Sequence, residues 1–350
     1  MTRTRPVVMM TGASGVLGRV LAEELAADFD LVCLVHRTPI RGIRVRSVHG
    51  DLSRPDLGLD AGTVQTLARQ VDFVVHCGAE TKWTSEASDI QETNGAGTAR
   101  MLDFAHRSGA VFYHVSTAFV ARSQDQPGEG QPGEGQSGAA AYVASKIEAE
   151  RLVQDSGLPS VIIRPSIVTG DSTDGRIGAL QGLHRLAVSV LRDAAPVVPA
   201  AASTRIDCVP QDVVARFVGQ LVRARVAEGT YWLTAGPHAL TLGEMVGVTL
   251  EIAEQLGLSV HQPRMIPTET VNRLILPLLE DAIPRTLAGR FGQLIELLRL
   301  FQSEFTLPTS LPPGVLSHDM LLTAFRRCVQ HAAVRSRLAA PDRFGQEAVA

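Results

Sequence analysis

Tyr142 and Lys146 stand four residues apart in AAYVASKIEAERLV, whose pattern predicts a helix over Ala141–Val153. Residues four apart share a helix face, so a phenol and an ammonium are presented together. An ordinary tyrosine ionises near pH ~10, too high for easy proton exchange at neutral pH. A nearby ammonium favours the phenolate and lowers that value. Such a phenol serves as general acid toward a carbonyl oxygen that accepts hydride, or as base in the reverse direction. Thr117, just past the apolar run Val111–Val115, offers a second hydroxyl to the same oxygen. With only two lysines, Lys82 and Lys146, and three tyrosines in the chain, a chance pairing at this spacing is remote.

Hydride chemistry needs a carrier, and Val7–Leu25 (VVMMTGASGVLGRVLAEEL) is suited to holding one. Val7–Met10 reads as a strand buried on both faces, and Arg19–Leu25 as a helix. Between them run Thr11, Gly12, Ala13, Ser14, Gly15, Val16, Leu17 and Gly18. Gly12 permits a tight turn, Gly15 lets pyrophosphate approach the backbone, and Gly18 lets the helix pack close. The N–H groups at the helix start then face the anion. A second strand, Asp30–Val35, ends at His36-Arg37, with Arg41 and Arg44 close behind. Arg37 either pairs with a ribose 2′-phosphate, which favours NADP over NAD, or is a solvated arginine at a strand end.

Further apolar runs extend the pattern. Val45–His49 leads into Gly50-Asp51-Leu52, by itself a turn signal. Val71–His76 leads into Cys77-Gly78-Ala79, a small-residue loop against which a cofactor can lie. Thr93–Phe104 is helical, and Val111–Val115 and Ser160–Ile163 are strands. This alternation predicts an α/β fold, a Rossmann-type doubly wound parallel sheet with a smaller, mostly helical substrate lobe. Helices are expected at Ile177–Leu191, Asp212–Arg223 and Thr241–Leu256, with strands at Arg205–Pro210 and Tyr231–Thr234. The expected division is residues 1–170 and 204–235 for the dinucleotide domain, and 171–203 and 236–350 for the substrate lobe. His76 and His114 fall in buried strands and read as satisfied core residues. Lys82 and Trp83 either line the substrate mouth or belong to a plain loop. The tract 125–138, with PGEGQ written twice, is a surface loop or a lid between Thr117 and Tyr142.

Composition narrows the classes. A net charge of −3 gives no reason to expect a nucleic-acid partner. Cys33, Cys77, Cys208 and Cys328 are isolated, so neither a disulfide framework nor a metal site is expected, and a reducing cytoplasm is the default. The first strand begins too early for a signal peptide, and no apolar run is long enough for a bilayer span.

The Gly-x-x-Gly-x-x-Gly spacing resembles the short-chain dehydrogenase/reductase superfamily. Val71–Trp83 (VDFVVHCGAETKW), His114–Val120 (HVSTAFV), Ile163–Asp171 (IRPSIVTGD) and Ile206–Val213 (IDCVPQDV) narrow it. Together they resemble the extended branch that holds thioester reductase domains and fatty acyl reductases, over about Val7 to Leu233. The resemblance implies NADPH as cofactor, with Thr117, Tyr142 and Lys146 as the catalytic hydroxyl, the acid and its helper. It implies that Asp51 and Leu52 lie at the adenine, and that Pro165, Ser166 and Ile167 cover the nicotinamide. Asn94, in an Asn-x-x-Gly-Thr-like stretch, would tie its helix to the catalytic strand and orient the lysine, or simply cap or pack a helix. Hydride attacks a thioester carbonyl, Thr117 and Tyr142 stabilise the oxyanion, and the hemithioacetal collapses to an aldehyde that a second hydride can carry to an alcohol.

The substrate expected from this resemblance is an acyl thioester on CoA or on an acyl or peptidyl carrier protein. With no adenylation or carrier domain in the sequence, a carrier is expected to act in trans. Val271–Leu279 (VNRLILPLL) either floors an acyl channel or is a core helix kinked at Pro277. The same scaffold also supports a sugar-nucleotide epimerase or dehydratase, a ketone or hydroxysteroid-type dehydrogenase, or an NADP-sensing protein without catalysis.

Overall fold

Apolar runs that alternate with amphipathic helices can be buried only in a sheet covered on both faces. The structure, a computed structural model, describes residues 5–82, 84–121, 138–271, 273, 302–303 and 306–344. The strands are β1 (Val7–Thr11), β2 (Asp30–Val35), β3 (Arg46–His49), β4 (Phe73–His76), β5 (Val111–Val115), β6 (Ser160–Pro165) and β7 (Glu228–Leu233). They form one sheet in the order β7-β6-β5-β4-β1-β2-β3, every pair parallel. The winding reverses between β1 and β4, and in such sheets ligands sit beyond the strand ends at that point. Register puts three side chains in a row there: Thr11 is opposite His76, and His76 is opposite His114.

The helices of this unit are α1 (Val16–Leu25), α2 (Ala61–Ala68), α3 (Ala87–Gln91), α4 (Gly97–Ser108), α5 (Gly138–Asp155) and α6 (Gln211–Arg223). Met9, Val74 and Phe112 of the sheet pack with Leu67 of α2 and Met101, Phe104 and Ala105 of α4 in one core cluster. The helix expected over Thr93–Phe104 is not uniform. Residues Glu92–Ala96 make a π-turn before α4, the kind of widening often found at functional sites. On α5 the buried face carries polar Ser145, Lys146 and Glu150 beside Val143, Ala149 and Val153.

The chain divides into two compact units, one of Met1–Ser166, Val213–Leu233 and Thr309–Leu311, the other of Ile167–Asp212, Thr234–Pro308 and Pro312–Ala350. The second unit thus takes in Ile167–Gly170, residues 204–212 and Thr234–Ala235, which the sequence reading assigns to the dinucleotide domain, and the first takes in Thr309–Leu311, which it assigns to the lobe. Within it the helices Gly182–Leu191, Leu242–Gln255 and His318–Arg335 pack against one another. Thr241 and Glu244 form the reciprocal cap at the start of the middle one. The strand expected at Arg205–Pro210 is broken in two at Asp207. The Asp207 carboxylate accepts the N–H groups of Ala235 and Gly236 at 2.8 and 2.9 Å. Val271 excepted, most of the apolar stretch Val271–Leu279 lies outside the described residues, as do Trp83 and all but the last residue of 125–138.

Candidate active site

Gly12 adopts φ +73°, and a Cβ there would fall 2.6 Å from the Gly78 nitrogen and 2.7 Å from the Cys77 carbonyl. The glycine turn therefore rests directly on the Cys77-Gly78 backbone. A Cβ on Gly18 would lie 2.0 Å from the Gly12 carbonyl oxygen, so at Gly18 α1 is packed directly on the turn that follows β1. Ser14 and Gly15 are exposed, and Val16 and Leu17 form the first helical turn, whose N–H groups have no partner four residues back. The Gly15 N–H is not among the free donors, since it bonds the Gly12 carbonyl at 2.8 Å.

A cavity of about 300 Å³ opens beside this turn, lined by Ala13, Ser14, Arg19, Thr38 and Arg41 among others. Arg37, the cation singled out for a 2′-phosphate, is exposed and does not line it. Arg41 lines it instead, together with Arg19, which the helix pattern disguised as an ordinary solvent-face residue. Arg19 sits one turn before Glu23 and pairs with it at 3.2 Å. Asp51 holds a turn: its carboxylate accepts both the N–H and the hydroxyl of Ser53, at 2.9 and 2.7 Å. Chiefly those bonds keep it below the usual carboxylate range. The carbonyl of Leu52 accepts from Arg100 at 2.8 Å.

The Thr11 and Asn94 side chains are both engaged by partners within the protein. The Thr11 hydroxyl is buried and fully used: it accepts the Gly78 N–H at 2.9 Å and meets His76 Nδ1 at 2.8 Å. The Asn94 amide bonds both main-chain groups of Glu80, at 2.7 and 3.0 Å, and donates to the Ser145 hydroxyl at 2.9 Å. It thus ties the π-turn to the loop beyond β4 and to α5, the helix of Tyr142 and Lys146, where the sequence reading expects a tie to β5.

The Thr117 hydroxyl stands near the Tyr142 phenol, close enough to favour its ionised form, and accepts the Phe119 N–H at 3.3 Å. Thr117 is buried, and Tyr142 is half-buried. Lys146 is buried, and its Nζ donates to the Val115 carbonyl at 2.9 Å. Burial pulls the lysine down to about 8, opposed by Cys77 and Glu150. The phenol does not follow the sequence expectation. Burial, with Cys77, pushes Tyr142 up to about 12 against the lowering effect of Thr117. Desolvation of the phenolate outweighs the help of a lysine whose donor is turned to Val115. Tyr142 is therefore held protonated at neutral pH, the state a proton donor needs.

Two hydroxyls close by, Ser116 Oγ and Ser166 Oγ, are buried without hydrogen-bond partners. Orphaned buried hydroxyls at the ends of β5 and β6 suit a ligand with polar edges. Pro165 closes β6 and accepts the Ala118 N–H at 2.8 Å. Ala79 is half-buried and Lys82 is exposed. Ile167 belongs to the second unit, in a short strand opposite Cys208. The glycine turn, the small residues of the Cys77-Gly78 backbone and these two hydroxyls fit a dinucleotide. Among the described residues no three His, Cys, Asp or Glu gather to hold a metal, and no helix is long and apolar enough to cross a membrane.

A model of an NAD-binding family described as male sterility protein matches residues 40–218. The nonribosomal peptide synthetase acrB of Aspergillus aculeatus is 29% identical over 187 residues, 46% of this chain and 12% of that protein. The chain spans only 4 to 12% of the length of the curated relatives it matches. Among solved structures, the terminal R domain from the myxalamid PKS-NRPS pathway superposes with a TM-score of 0.69 at 24% identity, covering 97% of this chain and 93% of that one. A thiolation-reductase di-domain from an archaeal nonribosomal peptide synthetase gives a TM-score of 0.65 at 16% identity, covering 95% and 76%.

Proposed function

The chain belongs to the male sterility protein family, the thioester and fatty acyl reductase branch of the extended short-chain dehydrogenase/reductases, and from that premise we propose that it reduces an acyl thioester with NADPH. The observation that carries the reading is the buried Thr117 hydroxyl standing near the Tyr142 phenol, one helical turn before buried Lys146. Bound NADPH supplies the hydride. The glycine turn and the first turn of α1 would hold its pyrophosphate, and Arg19 and Arg41, which line the cavity beside that turn, would pair with its 2′-phosphate. Gly78 and Ser166, whose hydroxyl is buried without a partner, would border its nicotinamide end.

The rest of the chemistry falls to the chain's own side chains. Thr117 and Tyr142 direct their hydroxyls at the thioester carbonyl oxygen and stabilise the charge that grows there. Tyr142 passes its proton to that oxygen, and Lys146 steadies the phenolate left behind. The hemithioacetal then expels a thiol and leaves an aldehyde. A second round on the aldehyde gives an alcohol. The similar proteins include multidomain synthetases and a structure that joins a thiolation domain to a reductase domain. That pairing supports a carrier-bound acyl or peptidyl chain as the thioester.

Purified protein incubated with NADPH and a panel of acyl-CoA and carrier-bound acyl thioesters tests the proposal. Thioester-dependent NADPH loss with appearance of aldehyde or alcohol is expected. No such loss across the panel, or full activity in Tyr142→Phe, overturns it.

A further inference from the structure

His76 lies buried at the end of β4 and takes part in a line of hydrogen bonds whose proton positions are all determined. The Thr98 hydroxyl donates to the Asn94 carbonyl at 2.6 Å. Having spent its one proton, it must accept from His76 Nε2, 3.1 Å away. The imidazole proton therefore sits on Nε2, and the bare Nδ1 accepts from the Thr11 hydroxyl at 2.8 Å. That leaves the Thr11 oxygen to accept the Gly78 N–H. At the other end the Asn94 amide is oriented by Glu80, so its Nδ2 donates to Ser145. The Ser145 hydroxyl in turn donates to the main-chain carbonyl of Tyr142 at 2.7 Å. Every donor and acceptor agrees in direction.

We infer that His76 is a positioning residue whose neutral, Nε2-protonated ring links the backbone against which the glycine turn rests to the residue that carries the acidic phenol. The inference rests on Tyr142 being the proton donor. The line begins at Gly78, which would be 2.6 Å from a Cβ on Gly12, and ends on Tyr142. It crosses β1, β4, α4, the π-turn and α5, so a shift of the dinucleotide turn is passed to the helix that aims the phenol. A charged ring would reverse the Nδ1–Thr11 bond and take from the Thr11 hydroxyl proton the acceptor it has in Nδ1. Burial and the Lys146 ammonium on α5 oppose that charge and hold His76 down at about 3, with neutral His114 on β5 beside it.

Selective histidine ¹⁵N labelling of the full chain reads the ring directly, with His76→Gln identifying the signal. A bare Nδ1, a protonated Nε2 and no titration between pH ~8 and ~5 are expected for a ring so buried. A protonated Nδ1, or titration in that window, overturns the inference whether or not any variant folds. The second arm measures NADPH binding by fluorescence and turnover on an acyl-CoA thioester. His76→Phe is expected to lose about 10- to 100-fold in kcat, the scale of a small misplacement. Its NADPH affinity should stay within about threefold, and His76→Gln, which keeps a donor near Nε2, should recover most of the rate. Folded His76→Phe with unchanged kcat overturns the inference. Full activity in Tyr142→Phe instead removes the reading of Tyr142, and the ring measurement is unaffected by it.

Discussion

Glu150 and Arg164 form a two-pronged ion pair inside the first unit. Nε donates to Oε1 at 2.9 Å, and Nη2 donates to Oε2. Both are nearly buried, and the guanidinium also lies over the Trp232 ring, 4.6 Å from its centre. Glu150 is one helical turn beyond Lys146 on the same buried face, so a structural clamp also supplies a fixed negative charge that favours the Lys146 ammonium. Removing one partner leaves the other charge buried and alone. Glu150→Gln is expected to cost about 3 kcal/mol in urea unfolding, and exchange of the pair for Leu and Met much less.

The same carboxylate shapes the pH dependence of turnover. In the proposed mechanism Lys146 acts in its protonated form, so the rate should be full below and lost above a pKa of about 8. Because Glu150 raises that value, the fall in Glu150→Gln should come at lower pH. Stability runs the other way. The unfolded lysine keeps its proton up to its ordinary value of 10.5, so the chain gains stability as pH rises from about 8 to 10.5. Initial rates and thermal melts across that range check both directions.

At the acid end three buried histidines act together. His76 and His184 are held down at about 3 and 4, and His114 well below 6.5, each mainly by burial. Their folded values lie below the unfolded one, so the unfolded chain takes up protons first as pH falls. Stability should be complete above about pH 6.5 and decline steadily toward pH 4. A melting temperature flat between pH 7 and 4 would contradict this.

His114 is the member of that group without hydrogen bonds: both ring nitrogens are buried and unpartnered. It stacks on Phe112 with ring centres 6.4 Å apart. An orphaned polar ring costs roughly 1–3 kcal/mol. His114→Phe should therefore keep or raise the urea midpoint and flatten the acid decline, whereas a large loss would mean that the ring has an essential partner.

Cofactor choice should follow the two cavity arginines. Arg41→Ala and Arg19→Ala are each expected to raise KM for NADPH about 10-fold or more, the worth of a charge-assisted bond, and to leave that for NADH nearly unchanged. Arg37→Ala should do little. Equal effects on both cofactors would remove the 2′-phosphate from the picture.

What the sequence reveals and what it hides divide along physical lines. Buried parallel strands are written as apolar runs, so Val7–Thr11, Asp30–Val35 and Val111–Val115 are legible, and so is a Tyr–Lys pair one helical turn apart. Arg19 is not, because its helix position reads as solvent face and only folding brings it beside Arg41. The Thr11–His76–Thr98 contacts join residues 65 and 22 positions apart, and no local pattern carries them. The acidity of Tyr142 depends on how much water reaches it, so a spacing rule that counts only the neighbouring ammonium points the wrong way. Asp207 breaks a strand through bonds to Ala235 and Gly236 that periodicity cannot register.

The strand β7 lies at the edge of a wholly parallel sheet, laid on β6 from which it is separated by residues 166–227. No hairpin can make that pairing, and the intervening chain belongs largely to the other unit. During synthesis, then, a nascent chain that has delivered its catalytic helix still exposes the β6 edge until Leu233 has cleared the ribosome. Stalling or cleavage before that residue leaves an unpaired, strongly apolar border, the sort of species that chaperones capture.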